Sequence, residues 1–240
     1  MAEARIRLFV DQALAAGQPV AVGADQANYL FNVMRLGAGD AVLLFNGRDG
    51  EWRAVVERPG KRAGVLRCDV QTAPLRLPPD LWLLFAPIKK ARTDFIVEKA
   101  VELGVARVVP VLTRHTNSER IRQDRLQAHA MEAAEQCGAT FVPEVAGLTH
   151  LDRLLDQWPG ERRLLWCDEA KAGEPATLTG ARGAPWAILI GPEGGFAPDE
   201  QRRLRALPQV VALGLGPRIL RADTAAVAAV TLWQVALGDW

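Results

Sequence analysis

Four short apolar runs, residues 6–10, 41–45, 52–57 and 65–70, punctuate the start of the chain, with the turn signals Asn46-Gly47 and Pro59-Gly60 between them. Runs of this length bounded by turn residues predict strands, here of a small β-barrel-like domain. A helical spacing interrupts them over residues 25–36, where Tyr29, Leu30, Val33, Met34 and Leu36 form an apolar face and Gly37 supplies the stop.

The pattern changes at the proline-rich stretch Pro74, Leu75, Arg76, Leu77, Pro78, Pro79. Beyond it, apolar runs alternate with helical periodicity: strand 81–86, helix 92–103 closed by Gly104, strand 105–112, helix 121–137 closed by Gly138, then strands 164–167, 186–190 and 210–213. Alternation of this kind predicts an α/β domain with a largely parallel sheet. The hinge divides the chain into domains 1–73 and 74–240. The last segment, 224–240, is apolar on most faces, which predicts a helix buried in the core or against a partner chain.

Composition narrows the class. With 240 residues, 49% of them hydrophobic, the chain can bury a proper core. A formal net charge of +1 means that any nucleic-acid contact must come from a local basic patch. Cys68, Cys137 and Cys167 form no C-x-x-C pair, and His115, His129 and His150 lack metal-ligand spacing, so neither disulfides nor a metal site is expected. No run approaches ~20 consecutive apolar residues and the start is charged, so the expectation is a cytoplasmic protein with no membrane span or signal peptide.

The candidate chemistry lies in two Gly/Pro-rich loops. Ile190-Gly191-Pro192-Glu193-Gly194-Gly195-Phe196 follows one predicted strand, and Leu213-Gly214-Leu215-Gly216-Pro217-Arg218-Ile219-Leu220-Arg221 follows another. Each leads toward a helical pattern, the layout of a ligand site at the strand ends of an α/β sheet. Glycines let main chain approach a ligand, and Pro192 and Pro217 hold the loops extended. Ordinary strand-to-helix punctuation is the competing reading. Phosphate-loop and dinucleotide fingerprints are absent and the surroundings are apolar. Such loops suit an adenosine compound without phosphates, held by backbone hydrogen bonds.

Both loops resemble the RsmE family of ribosomal RNA uridine-N3 methyltransferases, of the SPOUT superfamily. The resemblance extends to Arg7-Leu8-Phe9, to residues 29–36 with Gly39-Asp40, to residues 98–105, and to Ala134-Glu135-Gln136-Cys137-Gly138, in family order over nearly the whole chain. It implies a C-terminal SPOUT methyltransferase domain with a deep trefoil knot, an N-terminal PUA-like RNA-binding domain, S-adenosylmethionine (SAM) as methyl donor, and a homodimer. The implied target is the uridine at position 1498, in the usual rRNA numbering, of 16S rRNA in the small ribosomal subunit.

Methylating N3 of a uridine requires a donor held in a pocket, stabilisation of charge developing on the uracil, and a proton acceptor. Candidates to hold the donor are Ile190, Gly191, Pro192, Glu193, Gly194, Leu215, Gly216, Ile219, Leu220 and Ala222, with Leu165 and Trp166 as a further wall. Arg221 and Arg218 are candidates to pair with a uracil carbonyl or a phosphate; salt bridges to Asp223 or Glu193 are the alternative. Glu193 is the candidate proton acceptor, against orientation of its own loop, water or the RNA itself. Arg7, Arg35, Lys89, Arg92 and Lys99 are expected to hold RNA backbone, with Arg120, Arg122 and Arg125 as a second group that could equally be a solvated helix face.

Departures from the family pattern are Tyr29 where His is common, Ala139 where Arg is usual, and Ala222-Asp223 in place of Thr-Glu, with Asp223 expected to cap the last helix. A non-catalytic rRNA-binding assembly factor with the same fold is the competing function. Retention of both donor loops argues against it.

Overall fold

In a computed structural model, residues 4–118, 120–173 and 178–240 are described. They group into two compact units, Met1–Leu77 with Ala134–Val142, and Pro78–Ala133 with Pro143–Trp240.

In the first unit β1 (Arg7–Phe9), β2 (Pro19–Val22), β3 (Ala41–Phe45), β4 (Glu51–Arg58) and β5 (Gly64–Ala73) form one sheet in the order β1-β3-β4-β5-β2. β1 runs parallel to β3 and the remaining pairs are antiparallel. Alternate residues Val20, Val22, Val42, Leu44, Ala54, Val56, Leu66 and Cys68 point to one core, as the period of two in a half-buried strand requires. β2 is unanticipated in the sequence because its four residues carry only two inward apolar positions, Val20 and Val22.

The expected helix at 25–36 is corrected. A single turn, α1 (Ala24–Ala27), runs into a π-helical segment, Asn28–Val33, in which the Met34 N–H donates to Tyr29 C=O, five residues back, at 2.9 Å. The wider turn rotates later residues out of the 3.6-residue stripe. Leu30 is therefore buried while Tyr29, Val33 and Met34 are exposed. Arg35, not Gly37, ends the segment, with a left-handed φ of +58°.

The second unit holds a parallel sheet. Its strands are β6 (Leu81–Phe85), β7 (Arg107–Leu112), β8 (Glu144–Val145), β9 (Thr149–His150), β10 (Arg163–Cys167), β11 (Trp186–Ile190) and β12 (Val210–Leu213), in the order β12-β10-β11-β6-β7-β8, with β9 also on β7. Every pairing is parallel. β11, Trp-Ala-Ile-Leu-Ile, is buried at all five positions, as a central parallel strand covered on both faces must be. The helices are α2 (Lys90–Glu102), α3 (Gln123–Cys137), α4 (Leu151–Asp156), α5 (Pro198–Ala206) and α6 (Ala222–Leu237).

α6 buries one face within its own chain. Ala225, Ala226, Ala229, Val230, Trp233 and Leu237 are buried, whereas Val235 is 59% exposed and Val227 and Leu232 are half-buried. It packs against α2 and β11, where its alanines allow close approach. Gln234 on this face is fully buried, and its Nε2 donates to the Leu103 carbonyl at 2.6 Å, closing the end of α2. Gly104 makes that closure possible: its φ is +76°, and a Cβ there would stand 2.8 Å from Gln234 Nε2.

Candidate functional site

β10, β11 and β12 are neighbours and parallel, so the three loops leaving their carboxyl ends meet. Residues 168–173 and 214–216 interlock through Asp168 N–H to Leu213 C=O (3.0 Å) and Gly173 N–H to Gly216 C=O (2.9 Å). A Cβ on Gly214 would lie 2.0 Å from the Lys171 carbonyl oxygen, so only glycine lets these two stretches of main chain approach. The third loop, 191–197, turns through a Gly195 N–H to Pro192 C=O bond of 2.9 Å. Glu200, buried at the start of α5, holds it down by accepting from Ala197 N–H at 2.8 Å and Arg114 N–H at 2.9 Å.

Between the loops lies a cavity of about 270 Å³. Trp166, Ile190, Gly191, Pro192, Glu193, Leu215, Gly216, Ile219, Leu220 and Ala222 line it, as do Arg218 and Arg221. Leu165 and Gly194 do not. Leu165 neighbours Trp166 in β10 and so points to the other face of the sheet, where it is fully buried. Gly194 turns toward His115, whose Nδ1 lies 3.0 Å from the Gly194 carbonyl oxygen and 3.2 Å from that of Gly195.

Sequence reasoning missed Cys167, Asp168, Glu169, Gly195, Phe196, Gln201 and Ala225 on the walls. The loop at 168–173 could have been found, since it leaves the end of a strand already recognised. Phe196 has a clear packing role. Its ring covers Gly191, where a Cβ would stand 2.7 Å away, and meets Trp166 edge-on with 6.0 Å between centroids. Asp168 is buried and its carboxylate accepts from Ala170 N–H at 3.0 Å. Desolvation pushes the half-buried Cys167 thiol up to about 12, so it stays protonated at neutral pH.

The charges are distributed differently from the sequence expectation. Glu193 and Asp223 both approach Arg92, at 3.9 Å from its Nη1 and 3.7 Å from its Nε. Arg218 and Arg221 are exposed, and among the described residues neither guanidinium forms an ion pair. Asp223 does not cap α6 either: Arg221 holds the cap position, and the Asp223 carboxylate sits in the first turn, accepting from Thr224 N–H at 2.9 Å. A negative group there still suits the helix dipole.

The remaining basic candidates are unequal. Arg7 is nearly consumed within its own unit: Nε donates to Glu51 at 2.7 Å, and its terminal nitrogens donate to the carbonyls of Ala134 (2.5 Å), Glu135 (3.0 Å) and Ala139 (2.8 Å). That also explains why Ala139 serves, since its main chain is what is used. Lys99 pairs with Glu102 at 2.6 Å, Arg122 with Asp124 at 2.5 Å and Arg125 with Asp94 at 2.6 Å. Lys89 and Arg35 are exposed. Among the described residues no cluster could hold a metal ion and no helix is long and apolar enough to cross a membrane.

A parallel α/β sheet with a main-chain-walled cavity at its strand ends defines a small-molecule site of the α/β class, carried by a chain that also holds a small β unit. The particular family is set by comparison. The chain belongs to the RNA methyltransferase family, whose domain model matches residues 75–234, while the RNA methyltransferase PUA domain matches residues 22–67. The resemblance to RsmE is borne out. The chain is 28% identical to Ribosomal RNA small subunit methyltransferase E of Rickettsia conorii over 93% of each chain, and 28% identical to that of Mycobacterium bovis over 97% of this chain and 92% of the relative. The crystal structure of the Neisseria gonorrhoeae Ribosomal RNA small subunit methyltransferase E bound to SAM matches with 26% identity and a TM-score of 0.87, covering 98% of this chain and 99% of that one.

Proposed function

We propose that this RNA methyltransferase transfers the methyl group of SAM to N3 of a single uridine, position 1498, of 16S rRNA in the small ribosomal subunit. The observation that carries this reading is the cavity at the ends of β10, β11 and β12, with two guanidiniums on its wall that no acid neutralises among the described residues.

The cavity suits SAM. Its walls are main chain and apolar side chains, and the position where a Gly216 Cβ would stand is open, so the backbone there is bare toward a ligand. The carboxylate of Glu169 on the wall suits a ligand carrying sulfonium and ammonium charge. When bound, SAM supplies a methyl group activated by its sulfonium.

The chain's own residues do the rest. The three loops hold the donor, with Phe196 and Trp166 keeping one wall rigid and dry. Arg221 and Arg218 face the uracil, and a guanidinium within hydrogen-bond reach of a carbonyl oxygen stabilises the negative charge that grows as N3 loses its proton. Glu193 accepts that proton. Arg35, Lys89 and other exposed cations steer the RNA backbone. The protein works as a cytoplasmic homodimer built on the outward side of α6, with Val235, Leu232 and Val227 in the contact, and its C-terminal half threads the trefoil knot of the superfamily.

Incubating the protein with labelled SAM and small subunits that lack the modification tests the reading. It predicts 3-methyluridine at one 16S position by nucleoside mass spectrometry. SAM binding without any methylated RNA would instead identify a non-catalytic assembly factor.

A further inference from the structure

Arg92 is the one basic side chain shown to contact both acids of the two donor-site motifs. It lies two residues into α2, next to Thr93, whose buried hydroxyl both accepts from Ile88 N–H (3.1 Å) and donates to Ile88 C=O (3.0 Å). The base of Arg92 is therefore fixed. From there its guanidinium reaches Glu193 on the loop after β11 and Asp223 in the first turn of α6, at 3.9 and 3.7 Å. Those distances exceed a hydrogen bond, so the contact is one of charge.

We infer that Arg92 is a positioning residue of the donor site: it holds the 191–197 loop and the start of α6 together through Glu193 and Asp223, and by occupying both acids it leaves Arg218 and Arg221 uncommitted for substrate. This rests on the methyl-transfer reading and deepens it. Without Arg92 the two carboxylates lose the cation between them and repel one another, which loosens the cavity wall. They then become available to the guanidiniums of Arg218 and Arg221, which line the cavity. Donor affinity and the reactivity of the uracil both suffer, although Arg92 touches neither molecule.

A double-mutant cycle read by calorimetric binding of SAM tests the inference. Arg92→Ala is expected to weaken SAM binding about three- to tenfold, the scale of one or two partly exposed ion pairs. Arg92→Lys, which keeps the charge but replaces the guanidinium fork with a single ammonium, recovers part of the loss. In a Glu193→Gln/Asp223→Asn background, Arg92→Ala changes nothing further. If Arg92→Ala does not fold, as judged by thermal melting, Arg92→Lys carries the same cycle.

An equal loss in both backgrounds overturns the inference. So does unchanged SAM affinity with a raised KM for small subunits and a flatter salt dependence, which is the signature of a phosphate contact. Failure of the wild-type protein to bind SAM at all would instead defeat the methyl-transfer reading on which the inference rests.

Discussion

Arg7 in the first unit and Arg221 in the second both fall in family motifs, and both read from the sequence as cations for RNA. In the folded protein they are opposites. Four of the five N–H groups of Arg7 end on Glu51 and on three carbonyls of its own unit, whereas the Arg221 guanidinium is exposed and forms no ion pair among the described residues. A guanidinium already saturated by rigid acceptors holds a fold together; one left unsaturated beside a cavity is available to a ligand. A motif alone cannot separate these roles, because both need the same residue.

The largest effect expected is on catalysis. Arg221→Ala should lower the rate of methyl transfer about 10²- to 10³-fold, the cost of removing one donor aimed at developing charge, with thermal stability unchanged. Arg7→Ala should do the reverse. It leaves Glu51 and three carbonyls short of a partner, which costs about 2–4 kcal/mol in chemical denaturation of the first unit. A swap of these two phenotypes would break the comparison.

Backbone approach comes next. Gly214→Ala forces a Cβ against the Lys171 carbonyl at 2.0 Å, so the interlocked loops must part. Its SAM affinity should fall at least about tenfold, with a destabilisation of about 1–3 kcal/mol. His115→Ala releases the Gly194 and Gly195 carbonyls at an exposed site and should cost only about 1 kcal/mol in donor binding.

The smallest effect is alkaline. The Cys167 thiol is raised from 9.0 to about 12 by burial. Between those values the unfolded chain has lost a proton that the folded chain keeps, so stability falls as pH climbs through that window, with a limiting slope of about 1.4 kcal/mol per pH unit for one group. Cys167→Ala should flatten the decline in melts recorded from pH 8 to pH 10.5. An unchanged slope would show that the thiol is not held protonated by burial.

Much of this was legible in the sequence. The strands at 41–45, 186–190 and 210–213 are legible because continuous apolar runs end at Asn46, Gly191 and Gly214, and the cavity loops stand out by their clustered glycines. α5 escaped because Pro-Asp-Glu-Gln-Arg-Arg-Leu-Arg-Ala offers a single large apolar residue, Leu204, to the core. The insert at 24–33 misled because a π turn changes the period on which an apolar stripe is read. The contact of Arg92 with Glu193 and Asp223 was hidden because these acids lie 101 and 131 positions further along the chain. Such pairings arise from the crossing of parallel strands, and local pattern carries no trace of them.

The central claim is that an open guanidinium beside a main-chain-walled donor cavity drives methyl transfer to a uridine. The most direct measurement compares wild type and Arg221→Ala for SAM affinity by calorimetry and for 3-methyluridine formation on small subunits by mass spectrometry. The account predicts SAM binding within about threefold of wild type and a transfer rate at least about a hundredfold lower. Transfer at the wild-type rate, or a loss explained wholly by lost SAM binding, would contradict it.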